Sequence, residues 1–222
     1  LRDDTTQFGA PITESLGNII LDDVGDPDEE YQIFSYFDTS VDVTITADMS
    51  ATLRVEAGNI GILEVKDESD ILGPAEILVL STEDGGGQVT DFTATGDVGE
   101  FDDPSTIIAD HVANFTVSGN ILPDSAGTAA VQILPDIGTL QVDGYANNVW
   151  VWGGPDSATF NSGVNYLTIG GYEEGATPGE DPTPLWDVGT LTINGSDDLG
   201  AYTEAVGSQV WLWGDVDTLD VN

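Results

Sequence analysis

The sequence predicts an all-β protein, and three observations predict it. An octad of the form apolar-x-x-Leu/Phe-x-apolar-x-small occurs in seven places, starting at Ile60, Val89, Val112, Ile137, Val164, Val188 and Val216. Its fourth and sixth positions alternate with polar ones, which is the period of a strand buried on one face. Short apolar runs precede several octads across one or two turn-formers, as in Val131-Gln132-Ile133-Leu134 before Pro135-Asp136. Finally, no stretch carries a convincing apolar stripe at helical spacing; Ser105 to His111 makes one turn at most.

Taken in order, residues 1 to 15 are polar and read as an arm. Gly17 to Leu21 is a short strand, and Asp22 to Glu30 is an acidic, turn-rich loop. Tyr31 to Phe37 is the most aromatic strand of the first half. Val41 to Ala47 and Ala51 to Ala57 read as a hairpin across Asp48-Met49-Ser50. Ile60 to Lys66 and Ala75 to Leu80 follow, and Asp84 to Gly87 is an exposed turn. Gly96 to Ser105 mixes glycine, proline and acids and is the best domain boundary. It divides the chain into an N-terminal β domain with its arm, 1–100, and a Trp-rich C-terminal β domain, 101–222. Glu173 to Pro184 is a long surface loop. Roughly 16 to 18 short strands fit this reading.

Two architectures accommodate them. The octad starts lie 23 to 29 residues apart by subtraction, as rungs of a parallel β-solenoid do. Strands of antiparallel sandwiches and jelly rolls recur at a similar spacing. Loop lengths vary, and the first 57 residues do not repeat cleanly. Stacked β-sandwich or jelly-roll barrels are therefore the preferred expectation, with the parallel β-solenoid as the alternative.

Composition limits function. The 222 residues hold 41 Asp and Glu against three basic residues, Arg2, Arg54 and Lys66, for a net charge of −38. In dilute buffer such self-repulsion destabilises a compact state. In molar salt the screening length falls to about 3 Å and the repulsion fades. Forty per cent of the residues are hydrophobic, so a folded core in a salt-accumulating halophile, or in a virus of one, is the expectation. Nucleic acid is an unsuitable partner without clustered Lys and Arg, and so is an anionic membrane surface. No apolar run approaches the roughly 20 residues needed to span a bilayer as a helix. The chain starts at Leu1 rather than Met, so a preceding segment processed away or left out is an open expectation.

The catalytic inventory is thin. There is no cysteine, so no thiolate metal site and no disulfide, and the single histidine is His111. A hydrolase triad would need His111 as base, and no Gly-x-Ser-x-Gly accompanies it. No catalytic, cofactor or metal residues are expected. The acidic clusters around Asp22 to Glu30, Asp102-Asp103 and Asp197-Asp198 read as solvated surface. Asn114-Phe115-Thr116 and Asn194-Gly195-Ser196 match the N-glycosylation pattern, with chance as the simpler explanation.

The remaining candidates are tryptophans. Val149-Trp150-Val151-Trp152-Gly153 recurs as Val210-Trp211-Leu212-Trp213-Gly214. In an extended strand both indoles of each pair lie on one face and the aliphatic residues on the other. Two apolar faces call for cover on both sides. The simplest cover is burial on both sides within a two-layer domain. The functional reading makes Trp150, Trp152, Trp211 and Trp213 interface residues packed on a neighbouring subunit, since Trp is enriched at such contacts. Sugar stacking on exposed indoles is a third reading.

An acidic all-β chain with apolar strands, a loose arm and no catalytic kit resembles the major capsid proteins of tailless, membrane-containing icosahedral viruses of haloarchaea. That resemblance implies upright β-barrels and a structural virion subunit that assembles with copies of itself and other capsid proteins. The alternative function is a haloarchaeal surface or fibre protein that binds or cleaves carbohydrate, located outside the cell or on its surface.

Overall fold

A computed structural model describes residues 2–3, 17–22, 24–26, 28, 30–35, 40–56, 59–66, 69–72, 75–80, 88–99, 105–108, 111–122, 131–133, 136–147, 149–151, 153–170, 187–195, 206–212 and 215–222. The strands are β1 (Arg2–Asp3), β2 (Gly17–Leu21), β3 (Glu30–Ser35), β4 (Ser40–Ile45), β5 (Thr52–Glu56) and β6 (Asn59–Val65). They continue with β7 (Glu76–Leu80), β8 (Gln88–Ala94), β9 (Ser105–Ile108), β10 (His111–Val117), β11 (Val131–Ile133) and β12 (Asp136–Val142). The last six are β13 (Val149–Val151), β14 (Ser157–Phe160), β15 (Val164–Ile169), β16 (Val188–Ile193), β17 (Val206–Leu212) and β18 (Val216–Val221).

All odd strands form one nine-stranded sheet and all even strands a second, each in chain order. We call them the odd and even sheets. Every pairing between these strands is parallel, from β1 with β3 to β16 with β18. A third ladder of single parallel bridges runs through Val24, Met49, Ile71, Val98, Ile121, Ala146 and Val164. The chain therefore winds as a coil, visiting the bridge corner, the odd sheet and the even sheet once per turn. The all-β expectation stands. The pairing is that of the solenoid alternative, not of an antiparallel sandwich or jelly roll.

The hairpin expected across Asp48 to Ser50 is corrected for the same reason. β4 and β5 lie in different sheets, and Met49 between them is a buried corner residue. Both ladders and the core also cross the boundary expected at residues 100/101. β8 pairs in register with β10, from Val89↔Val112 to Ala94↔Val117.

The octad gives the even sheet its inner face. Its fourth position supplies Leu63, Phe92, Phe115, Leu140 and Leu191, and its sixth supplies Val65, Ala94, Val117, Val142 and Ile193, all buried. The Phe92 and Phe115 rings stack at 4.5 Å with 7° between planes, worth about 1 kcal/mol beyond the area they bury. The seventh octad departs from the series: Val164 stands at the corner and opens β15 of the odd sheet. The even-sheet strand of that turn is β14, whose Ala158 pairs between Leu140 and Leu191. Phe160, two residues on, restores the volume that Ala158 omits and is fully buried.

Close stacking explains the glycines at octad position two. A Cβ on Gly138 would stand 2.6 Å from the carbonyl oxygen of Ala113, and one on Gly189 would collide with the Asp156 carbonyl. At the corner, Gly96, Gly119 and Gly144 stack backbone on backbone, with no room for a side chain on Gly119 or Gly144.

Candidate functional site

With the inner faces committed to the core, functional groups have to come from the outer faces and the corners. On β13 the alternation turns Val149 and Val151 inward, fully buried, and leaves Trp150 37% exposed. The same alternation leaves Trp211 of β17 52% exposed and Tyr166 of β15 43% exposed. Register brings these together. Trp150 is opposite Thr168, and Thr168 is opposite Trp211. Tyr166 is opposite Gln209. The two indoles thus sit two strands apart on one face, about 10 Å between their backbones. The Trp211 Nε1–H donates to Gln209 Oε1 at 3.0 Å, fixing the edge of that ring.

The reading of these strands as core buried on both sides within the chain is corrected at Trp150 and Trp211. Their valine and leucine neighbours face the core, and the indoles face outward. Trp152 and Trp213 lie outside the described residues, as do Asp102, Asp103, Asp197, Asp198 and the 173–184 loop.

The outer face of the even sheet has another chemistry. One row runs Asn114, Thr139, Ser157, Thr190 and Thr218, and the next runs Thr116, Gln141, Thr159, Thr192 and Asp220. Between β10 and β16 all eight of these positions are hydroxyl or amide side chains, exposed or half-buried. Toward the N-terminus the first row continues through Asp91 and Ile62 and the second through Thr93, Glu64 and Thr44, and Asp42 of β4 accepts from the Ile62 N–H through Oδ1 at 3.1 Å. Asn114 of the first glycosylation pattern is exposed and donates through Nδ2 to Asp91 Oδ1 at 2.8 Å.

The corners carry side-chain ladders that sequence reasoning missed. The amide N–H of Asp70 donates to Asp48 Oδ1 (3.0 Å), that of Asp97 to Asp70 Oδ1 (2.7 Å), that of Asn120 to Asp97 Oδ1 (2.6 Å) and that of Tyr145 to Asn120 Oδ1 (2.9 Å). After the even sheet, Asn161 donates to Asp143, Asn194 to Asn161 and Asn222 to Asn194 through their side-chain amides. Asn194 of the second glycosylation pattern is thus engaged in a ladder. The signal was an Asp or Asn recurring just after apolar strands, legible only once the turns of the coil are aligned.

Among the acids, Asp26 Oδ1 accepts from the Asp28 amide at 3.0 Å, a local turn. No group of three or more metal-ligating side chains converges among the described residues. His111 opens β10, opposite Gln88 and Asp136. In the core, Ser105 is 1% exposed and its Oγ has no hydrogen-bond partner among the described residues. No helix among the described residues is long and apolar enough to cross a membrane.

Comparison with protein-family models, with curated proteins and with solved structures gives no match to this chain. Function has to be argued from the faces themselves.

Proposed function

We propose that the chain is a stiff, elongated module of an assembly displayed in concentrated brine, on a cell surface or a virion. The observation that carries this reading is the unbroken parallel pairing of two nine-stranded sheets over one apolar core. At about 4.8 Å per strand the stack extends roughly 40 Å along its axis. Solenoids offer long repeating faces, and their stability accrues from one turn to the next. The −38 charge supports the setting, because it is tolerable for a compact chain mainly where salt screens it.

The capsid-subunit expectation drew on upright barrels, whose strands are antiparallel, and the parallel ladders lend that route no support. A virion place for this module is a fibre or surface element that contacts copies of itself or other virion proteins. No catalytic role is proposed. Electron microscopy of the native assembly in high salt tests the reading: stalks or fibrils are expected, and a closed icosahedral shell built from this chain would overturn it. Circular dichroism tests the setting. The β signal should collapse as salt falls well below about 1 M, and full native structure in about 50 mM salt would refute the halophilic assignment.

A further inference from the structure

We infer that the outer face of the odd sheet around Trp150, Tyr166 and Trp211 binds an extended, uncharged polysaccharide. Three properties of the face carry this.

The first is geometry. Trp150 and Trp211 project from in-register positions two strands apart, with Thr168 between them. Tyr166 and Gln209 form a parallel row beside them. The rings thus recur along the solenoid axis at about 10 Å, close to the length of two pyranose units in an extended chain. A ligand with that repeat can set alternate sugars on successive rings.

The second is the mixture of groups. Each ring is 37–52% exposed, yet the rings are separated by a hydroxyl and an amide rather than fused into one apolar patch. A purely apolar partner would bury Thr168 Oγ1 and the Gln209 amide at a cost of about 1–3 kcal/mol for each group left unpaired. A sugar presents a C–H face to an indole and hydroxyls at its rim, and satisfies both kinds of group at once. The Trp211–Gln209 bond already holds one ring edge and leaves the Gln209 NH₂ able to donate outward.

The third is charge. The face formed by Trp150, Tyr166, Thr168, Gln209 and Trp211 includes no Asp, Glu, Lys, Arg or His, in a chain of net charge −38. A polyanionic glycan would be repelled by the rest of the molecule, and so would the acidic proteins of the same brine. A neutral glycan meets no such field.

This inference deepens the surface-module reading by naming a ligand; a rod that binds no sugar leaves that reading intact. The test is titration of the full chain in about 3 M salt with the β-1,4-linked cellohexaose, chitohexaose, mannohexaose and xylohexaose, followed by tryptophan fluorescence and calorimetry. Saturable binding of at least one is expected. Trp150→Ala and Trp211→Ala should each weaken it tenfold or more. Gln209→Leu and Thr168→Val should also weaken it, which a merely apolar docking face would not show. Circular dichroism and melting of each variant separate lost binding from lost fold. Binding by none of the four sugars overturns the inference, as does binding that survives both Trp changes. So does concentration-dependent self-association that disappears in the Trp variants while no sugar binds, since the face is then a contact between copies.

Discussion

Over the same turns of the coil, the two sheets present opposite outer surfaces. From β10 to β16 the even sheet shows Asn114, Thr116, Thr139, Gln141, Ser157, Thr159, Thr190 and Thr192. From β13 to β17 the odd sheet shows Trp150, Tyr166, Thr168, Gln209 and Trp211. Behind both stands one apolar core, mainly of Val, Leu, Ile and Phe. The core therefore does not select the surface. Alternation assigns every second residue to packing and frees the others for chemistry. Both surfaces also omit charge at these positions, which a chain this acidic achieves by placing carboxylates at corners and on the N-terminal turns, as at Asp48, Asp70, Asp97, Asp42 and Glu64.

The contrast between inside and outside can be broken by neighbouring substitutions on β14. Phe160→Ala opens a cavity in the core and should cost about 3–5 kcal/mol, while Thr159→Ala on the outer face should stay within about 0.5 kcal/mol. Thermal melts in high salt measure both, and equal losses would mean that the hydroxyl face is itself structural. Corner ladders come next in size. Asn120→Ala removes the Oδ1 that accepts from the Tyr145 N–H and the Nδ2 that donates to Asp97, and should cost about 1–3 kcal/mol; an unchanged melting temperature would show that solvent replaces the bonds. The smallest effect has the opposite sign. Ser105→Ala removes a buried hydroxyl that has no partner among the described residues, and should raise stability by up to about 1 kcal/mol. A clear loss would show that the hydroxyl is paired after all.

The legible part of this fold was the inner alternation. Six of the seven octads, at Ile60, Val89, Val112, Ile137, Val188 and Val216, open or lie along strands of the even sheet. The octad at Val164 misled because β14 distributes its volume differently, with Ala158 where its neighbours have Leu and Phe160 where they have Val or Ile. Topology was harder. Two apolar strands separated by Asp48-Met49-Ser50 look alike whether the chain reverses or turns a corner, and what distinguishes them is the placement of β4 and β5 in different sheets with Met49 buried between them. β4 added to the confusion, because its register against β6 shifts between Val41 and Val43, which blurs the repeat in the first 57 residues. For the candidate site, the sequence placed Trp150 and Trp211 on one side of their strands correctly. It could not tell an outward indole from a covered one, because alternation is the same in both cases. Nor could it pair Trp150 with Trp211, because 61 residues separate them and only the register through Thr168 aligns them.

The corner ladder has an arrow. At Asp48, Asp70, Asp97 and Asn120 the side-chain acceptor always belongs to the earlier turn and the amide donor to the later one. A chain emerging from a ribosome or a secretion pore with its N-terminus first meets these bonds in the productive order. Each new turn finds the oxygen it needs already held in place, and it brings the oxygen for its successor. Growth can proceed by accretion on a finished edge, with each step closing a loop of only about one turn, a modest entropic cost. The backbone at the same corners runs the opposite way: the Met49, Ile71, Val98 and Ile121 N–H groups donate to the carbonyls of Asp70, Asp97, Asn120 and Tyr145 on the following turn. Each of these turns is therefore tied to the next in both directions, and removing a turn from either end leaves N–H groups of its neighbour for water to meet.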